Sequence, residues 1–112
     1  MNSQFKKGVL ELLTLLSVRK QDMYGYELVK VVSEAVDVNE GTIYPLLKRM
    51  TNEKYFDTYL QESNEGPPRK YYKLTDLGHS RLNALEQEWK EFCRGIDSFI
   101  SRYERTLQHE EK

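Results

Sequence analysis

The stretch NEGTIYPLLKRM, residues 39–50, has the periodicity of a helix and carries a proline within it. Its apolar residues recur at i, i+3, i+4 and i+7, the spacing of an amphipathic helix with one buried face; they are Ile43, Leu46, Leu47 and Met50. The opposite face holds Gly41 and Pro45, two residues that ordinarily weaken a helix. We expect Asn39 to cap this helix and Pro45 to lie near its N-terminal end, where a missing backbone N–H is least costly.

An outward face of this composition suits close approach to a DNA major groove. Gly41 has no side chain to hold the backbone away, and Pro45 offers a compact ring that can pack on a thymine methyl. The remaining candidates can hydrogen-bond bases or phosphates; they are Thr42, Tyr44, Lys48 and Arg49. A first-turn proline on an ordinary solvated helix explains the same pattern equally well.

The periodicity around this helix predicts a winged helix-turn-helix. Beyond residue 54 the apolar period changes from 3.6 to 2, which indicates strands rather than helix. The predicted elements are helices at 4–18, 25–36 and 40–53, turns at 20–25 and 62–68, strands at 55–61 and 69–74, and a last helix capped by Thr75. The fold class is therefore mainly α, an α+β winged helix. We expect a DNA-binding domain over 1–74 and a dimerisation helix over 75–112, folding as one compact unit.

The hairpin carries the second feature that fits nucleic acid. In GPPRKYY, residues 66–72, Pro67 and Pro68 stiffen the tip directly before Arg69 and Lys70. Paired cations on a stiff protrusion suit a minor groove or flanking phosphates. Lys and Pro also serve to blunt an exposed sheet edge, and the hairpin alone favours neither interpretation. A polar recognition helix and a basic wing in this order make DNA binding the better account.

The last helix predicts a homodimer. Its apolar residues step alternately by three and four, a heptad seam of the kind that two packed helices bury; they are Leu82, Leu85, Trp89, Phe92, Ile96, Phe99 and Tyr103. The first helix is apolar over much of its circumference, which indicates burial on two sides, and we assign Phe5, Val9 and Leu12 to the same interface. An intramolecular packing helix is the alternative.

Composition argues against catalysis and against membranes. The 112 residues suit one domain with a modest core, and 31% of them are charged. Residues 41–74 carry six Lys or Arg and four Asp or Glu, a net +2 within a chain of net −1. His79, His109 and the single Cys93 form no metal-ligand or nucleophile–base spacing. We expect no enzyme, metal or cofactor.

An apolar N-terminal run interrupted by Glu11 and too short for a membrane span predicts a soluble cytoplasmic protein.

Three motifs in this order resemble the PadR family of bacterial transcriptional regulators: YGYEL at 24–28, GTIYPLLKRM at 41–50 and GPPRKYYKLTDLG at 66–78. The resemblance implies a winged-helix homodimer, most often a repressor, that binds inverted repeats in double-stranded DNA. It also implies these DNA-facing positions: Tyr24, Thr42, Tyr44, Pro45, Lys48, Arg69 and Lys70. The arguments from the helix face and the hairpin add Gly41, Arg49 and Pro68, which completes the predicted DNA-binding set. Where the family commonly reads Leu-Glu-x-x-Gly, this chain has Lys54 in place of the glycine.

Trp89 allows two interpretations. A tryptophan in a helical seam is usually core. In certain short PadR-like multidrug regulators, however, a tryptophan at a similar place lines a pore in which planar drugs stack. By that resemblance a small aromatic effector would meet Trp89, Phe92, Cys93 and Ile96. Two rival functions use the same fold without sequence-specific DNA binding: a protein-interaction module, which the acidic pI of 6.1 favours, and a small-molecule sensor built around Trp89.

Overall fold

The computed structural model describes the backbone of residues 3–110 and the side chains of residues 6–105. The elements are α1 (Ser3–Ser17), β1 (Met23–Tyr24), α2 (Gly25–Ala35), α3 (Glu40–Asn52), β2 (Phe56–Ser63), β3 (Gly66–Leu74) and α4 (Asp76–Glu110). This order confirms the predicted winged helix. It adds one short strand, β1, inside the stretch predicted only as a turn.

Two compact units divide the chain, the first ending at Leu82 and the second beginning at Asn83. The first unit is the winged helix, and the second consists of the remainder of α4. The predicted division after residue 74, with both parts folding as one unit, stays a prediction. Among the described residues, no helix is both long and apolar enough to cross a membrane.

The core of the first unit collects the apolar faces of its helices and one face of its sheet. The predicted stripe of α3 is confirmed, since Ile43, Leu47 and Met50 are fully buried and Leu46 nearly so. The rest of the first unit contributes Leu10, Leu15, Val18, Leu28, Val32, Phe56, Tyr72 and Leu74. One face of α3 is thereby fixed against the core, and the opposite face is left to solvent.

The sheet is antiparallel in the order β1-β3-β2, which places β3 in the centre. The turn is shorter than the predicted 62–68, because β2 and β3 extend into that stretch. The two strands pair as far as Ser63 with Gly66. Pro67 and Pro68 therefore lie within β3. A register irregularity between Gln61 and Ser63 lies opposite them. Strand β1 pairs only with positions 71 and 72, so these prolines interrupt no hydrogen bond to it.

The helix α3 begins at Glu40, as predicted, but two details near its start differ from the prediction. Pro45 lies in the second turn, where its missing N–H leaves the Gly41 carbonyl without the usual i+4 donor. Asn39 occupies the N-cap position, and its carbonyl accepts from the backbone N–H of Thr42 and Ile43 at 3.1 and 3.2 Å. Its side chain makes no capping hydrogen bond, so that part of the prediction is wrong.

The end of α3 explains the departure at Lys54. The Tyr55 N–H donates to the Met50 carbonyl and the Lys54 N–H to the Thr51 carbonyl, both at 3.0 Å. This pair of bonds is a Schellman motif, which requires a left-handed residue after the helix. Lys54 supplies it with φ of 70°, as the only non-glycine residue with positive φ in the described chain. The lysine thus adopts the conformation that a glycine would adopt without strain.

Thr75 joins this turn to the last helix. Its hydroxyl donates to the Lys54 carbonyl at 2.6 Å and accepts from the Gly78 backbone N–H at 2.9 Å, which confirms it as the N-cap of α4. Gly78 is buried against the Tyr55 carbonyl so closely that a Cβ at this position would collide with it. The hairpin and the first turns of α4 are therefore fixed to the end of α3.

Candidate DNA interface

The outward face of α3 presents the predicted polar set to solvent. Five of its predicted residues are exposed along this one helix: Gly41, Thr42, Tyr44, Pro45 and Lys48. Because the buried stripe fixes the opposite face, these side chains project away from the core at a defined orientation. The N-terminal half of a recognition helix is the part that contacts base edges in helix-turn-helix proteins.

Tyr44 packs over the beginning of α2. The backbone of Gly25 is buried beneath its ring, and a Cβ at Gly25 would lie 2.8 Å from the Tyr44 Cε1. Partial burial, followed by the nearby Glu40 carboxylate and the Tyr24 and Tyr26 hydroxyls, raises the pKa of Tyr44. A tyrosine hydroxyl is protonated near neutral pH even at its ordinary pKa, so Tyr44 can donate a hydrogen bond. Sequence reasoning missed Gly25 as the residue that makes room for this ring, although it stands within YGYEL.

A cleft of about 270 Å³ connects α3 with the wing. Tyr24, Gly25 and Tyr26 of β1 and α2 line it together with Tyr44 of α3 and Lys70 and Tyr72 of β3. Lys70 and Tyr44 therefore border the same depression, although they are distant in sequence. The Lys70 ammonium lies 5.9 Å from the centre of the Tyr72 ring, within the range of a cation–π contact.

The two predicted wing cations occupy opposite faces of β3, since successive strand side chains alternate. Arg69 is on the face away from the core, and its guanidinium lies 4.6 Å from the Tyr24 ring centre. Both cations are exposed, but they stand in the middle of the strand rather than at the tip, where the two-residue turn of Asn64 and Glu65 lies. The exposed Pro68 precedes them within β3.

A row of tyrosines that sequence reasoning missed supports the outer face of the sheet. Tyr24, Tyr71 and Tyr59 are in register across β1, β3 and β2, with ring centres 5.7 and 5.5 Å apart. The Tyr59 hydroxyl donates to the Asp22 carboxylate at 2.6 Å, and this hydrogen bond raises the pKa of Tyr59 to about 12. The row fixes the Tyr24 ring that lies against Arg69. The signal that could have found it is the presence of tyrosines in both predicted strands, in YFDTYLQ and in KYYKL.

Arg49 differs from the other predicted contacts because its charge is already engaged. Its guanidinium contacts the Glu11 carboxylate at 3.2 Å and the Glu53 carboxylate at 2.9 Å. Burial alone lowers the pKa of Arg49, but the hydrogen bonds to Glu53 and Glu11 more than offset this and the pKa rises. The structure therefore holds Arg49 half-buried among carboxylates, although it borders a pocket together with Thr42 and Pro45 of the exposed set on α3.

The predicted dimerisation residues fall into three groups. Leu82 and Leu85 are buried within the single chain and have almost no surface to offer a second copy. Val9 and Leu12 are half-buried, and the Phe5 side chain lies outside the described residues. The rest of the seam lies farther along α4, where Trp89 is half-buried and the following four residues are about half exposed: Phe92, Ile96, Phe99 and Tyr103.

The predicted effector residues share that part of α4. The Trp89 and Phe92 rings meet edge to face with centres 5.7 Å apart, and Ile96 and Cys93 are exposed on the same helix. Within the part of the chain that the structure describes, no three His, Cys, Asp or Glu residues are grouped to hold a metal ion.

An exposed helix flanked by a basic wing defines the class as winged helix-turn-helix proteins, and comparison with known proteins identifies the family. The model of the transcriptional regulator PadR-like family matches residues 12–84. The chain belongs to this family, which confirms the predictions of a DNA-binding transcriptional regulator and of a protein that is not an enzyme.

Relatives support the same assignment over nearly the whole chain. A PadR-like transcriptional regulator from Bacillus cereus is 39% identical with a TM-score of 0.79, covering 88% of this chain and 97% of that one. A PadR-like transcription factor from Bacteroides fragilis is 42% identical with a TM-score of 0.73, covering 87% and 95%. An uncharacterized protein from Lysinibacillus sphaericus is 30% identical over 106 residues, covering 91% of this chain and 97% of that protein.

Proposed function

We propose that the chain is a homodimeric repressor that inserts α3 into the major groove of an inverted-repeat operator. The observation that carries this proposal is the cleft that joins the exposed face of α3 to Lys70 of the wing. A helix in the groove and a cation beside it would contact base edges and phosphates together. Such a regulator would act in the cytoplasm, where bacterial DNA lies.

The roles within this interface follow from exposure and charge. Gly41 and Pro45 would allow the helix to approach base edges, while Thr42 would hydrogen-bond to them. The neutral hydroxyl of Tyr44 would donate to a phosphate oxygen. Lys48 is exposed on the same face and would contact a phosphate or guanine.

The wing and the residue that supports it would contact the flanking backbone. Lys70 borders the cleft and Arg69 lies on the outer face, so the two cations would meet different phosphates. Pro68 would stiffen the strand before them. Tyr24 would hold Arg69 in place through its ring and offer its own hydroxyl to the backbone.

Phosphate contacts can be tested through salt dependence. The DNA is a fragment isolated from sheared genomic DNA by its binding to the purified protein. Binding of the protein to this fragment is measured by fluorescence anisotropy at several salt concentrations. We expect Lys48→Ala and Arg69→Ala each to weaken binding and to reduce the slope of log K against log salt by ~1. Lys90→Ala removes an exposed cation of the second unit and serves as the matched control, with an unchanged slope. Unchanged affinity in both test variants would contradict the assigned face.

A second copy of the chain would cover the exposed seam of α4. Phe92, Ile96 and Phe99 are 52%, 46% and 52% exposed in the single chain. They form an apolar stripe whose exposure to water is unfavourable in free energy. Their alternating spacing is that of helices that pack along a common line. We expect Phe92→Glu to sediment as a monomer and Lys90→Glu, on the polar side of the same helix, to remain dimeric. A dimeric Phe92→Glu variant would refute the seam.

A planar aromatic effector would bind beside Trp89 in this dimer and release the operator. The edge-to-face contact with Phe92 supports the proposal, because it presents ring surfaces of the kind on which planar molecules stack. Such a ligand would shift the population toward a dimer whose recognition helices no longer match the half-sites. Trp89 is the only tryptophan, so quenching of its emission by a planar dye measures the binding directly.

A further inference from the structure

We infer that Glu11 is a positioning residue that orients the recognition helix for DNA. Its carboxylate binds Arg49 of α3 at 3.2 Å through one oxygen and Arg81 of α4 at 2.8 Å through the other. All three residues belong to the first unit. The inference rests on the proposed function, since it names what sets the angle of the helix that would enter the groove.

Burial indicates that this carboxylate is structural rather than a solvated surface charge. Glu11 is only 8% exposed although it lies within the apolar run VLELLTLL of α1. A carboxylate can be buried at a tolerable cost in free energy when charged partners form ion pairs with it. Removal of one partner leaves the buried charge uncompensated. Here the partners come from two other helices, so the ion pairs connect α1, α3 and the first turns of α4.

The second carboxylate on the same guanidinium has a different effect. Glu53 also binds Arg49, at 2.9 Å, but it follows Arg49 by four residues at the end of α3 itself and is well exposed. A contact within a helix cannot orient that helix against its neighbours. Glu53→Gln is therefore a matched control for Glu11→Gln, because each removes one negative charge from the same guanidinium.

The sign of the effect on DNA affinity separates positioning from electrostatics. Loss of a negative charge near DNA would by itself strengthen binding. If Glu11 orients α3, Glu11→Gln instead weakens binding about fivefold or more with an unchanged salt slope. We expect Glu53→Gln to bind as tightly as the unmodified protein or more tightly.

Arg49→Gln distinguishes positioning from direct phosphate contact. A positioning role predicts a loss of similar size, an unchanged salt slope, and a Glu11→Gln/Arg49→Gln double variant no weaker than either single one. A slope reduced by ~1 would make Arg49 a phosphate contact and overturn the inference. Tighter binding by Glu11→Gln, or additive losses in the double variant, would overturn it as well. If Glu11→Gln does not fold, the salt slope of Arg49→Gln decides.

Hydrogen exchange without DNA keeps this inference separate from the proposed function. We expect the amides of α3 to exchange faster in Glu11→Gln than in Glu53→Gln, while those of α2 are unchanged. If the unmodified protein selects no DNA, the proposed function fails, yet this exchange pattern would still support the positioning of α3 by Glu11. Equal protection of the α3 amides from hydrogen exchange in the two variants would overturn the inference about Glu11.

Discussion

Replacement of Gly41 with alanine separates the stability of α3 from its proposed contact with DNA. Among the described atoms outside its own helical backbone, a Cβ at this exposed position would meet only the Asn39 Oδ1, at 3.2 Å. The Asn39 side chain makes no capping hydrogen bond, so it can rotate aside at little cost. Alanine in a helix is favoured over glycine by up to ~1 kcal/mol. We therefore expect the free energy of unfolding to stay the same or to rise by that amount.

DNA affinity is expected to change in the opposite direction. The added methyl group lies on the face that would approach the base edges, so it would hold the helix farther from them. The neighbouring hydrogen bonds to the bases would lengthen, and hydrogen bonds beyond ~3.5 Å contribute almost nothing. Loss of one good base contact costs ~1–3 kcal/mol, so we expect affinity to fall at least about fivefold. Anisotropy titration and urea unfolding of the same sample measure both quantities.

Gly95→Ala provides the control for this prediction. Gly95 is an exposed glycine of α4, and no described atom outside its own helical segment lies within 4 Å of the position that a Cβ would occupy. The same substitution there should also stabilise the protein by up to ~1 kcal/mol without loss of DNA affinity. Undiminished affinity in Gly41→Ala would refute the close approach of α3 to the groove.

Three further substitutions test the fold and the tyrosine row. Lys54→Gly should stabilise the protein by ~1 kcal/mol in urea unfolding, because it relieves a left-handed side chain, and a loss of stability would contradict the helix-end motif. Gly78→Ala should destabilise by ~1–3 kcal/mol, since its Cβ would collide with the Tyr55 carbonyl; an unchanged urea midpoint would count against that packing. Asp22→Ala should lower the pKa of Tyr59 from about 12 toward its usual range in an NMR titration of labelled tyrosine. Because the folded-state pKa is raised, the stability from this hydrogen bond is present below pH ~10 and is lost as the pH rises toward the folded-state value.

Local patterns sufficed to predict the order of the helices and the hairpin. The apolar spacing of α3 is a one-dimensional signal, and its buried stripe matches the structure residue by residue. The Thr75 cap was likewise predictable, because the hydroxyl and the Gly78 N–H that it accepts from are three residues apart. The extent of the hairpin was not, since Gly, Pro and Asn are typical of turns and only cross-strand pairing brings Pro67 and Pro68 into β3.

The candidate site depended more on contacts that are remote in sequence. Exposure of Lys48 follows from the helical period, but the engagement of Arg49 does not, because Glu11 lies 38 residues away. A buried glutamate within an apolar run was the available signal. Gly25 was hidden for a similar reason, since only the folded chain places the Tyr44 ring on its backbone.

Selection of sheared genomic DNA by the purified protein, followed by sequencing, tests the central claim most directly. We expect an inverted repeat whose half-sites are about one helical turn apart, recovered at low salt and lost as salt is raised. The Lys48→Ala variant should recover it poorly. Failure to enrich any repeated sequence at low salt, or equal recovery by Lys48→Ala and the unmodified protein, would contradict DNA recognition by the exposed face of α3.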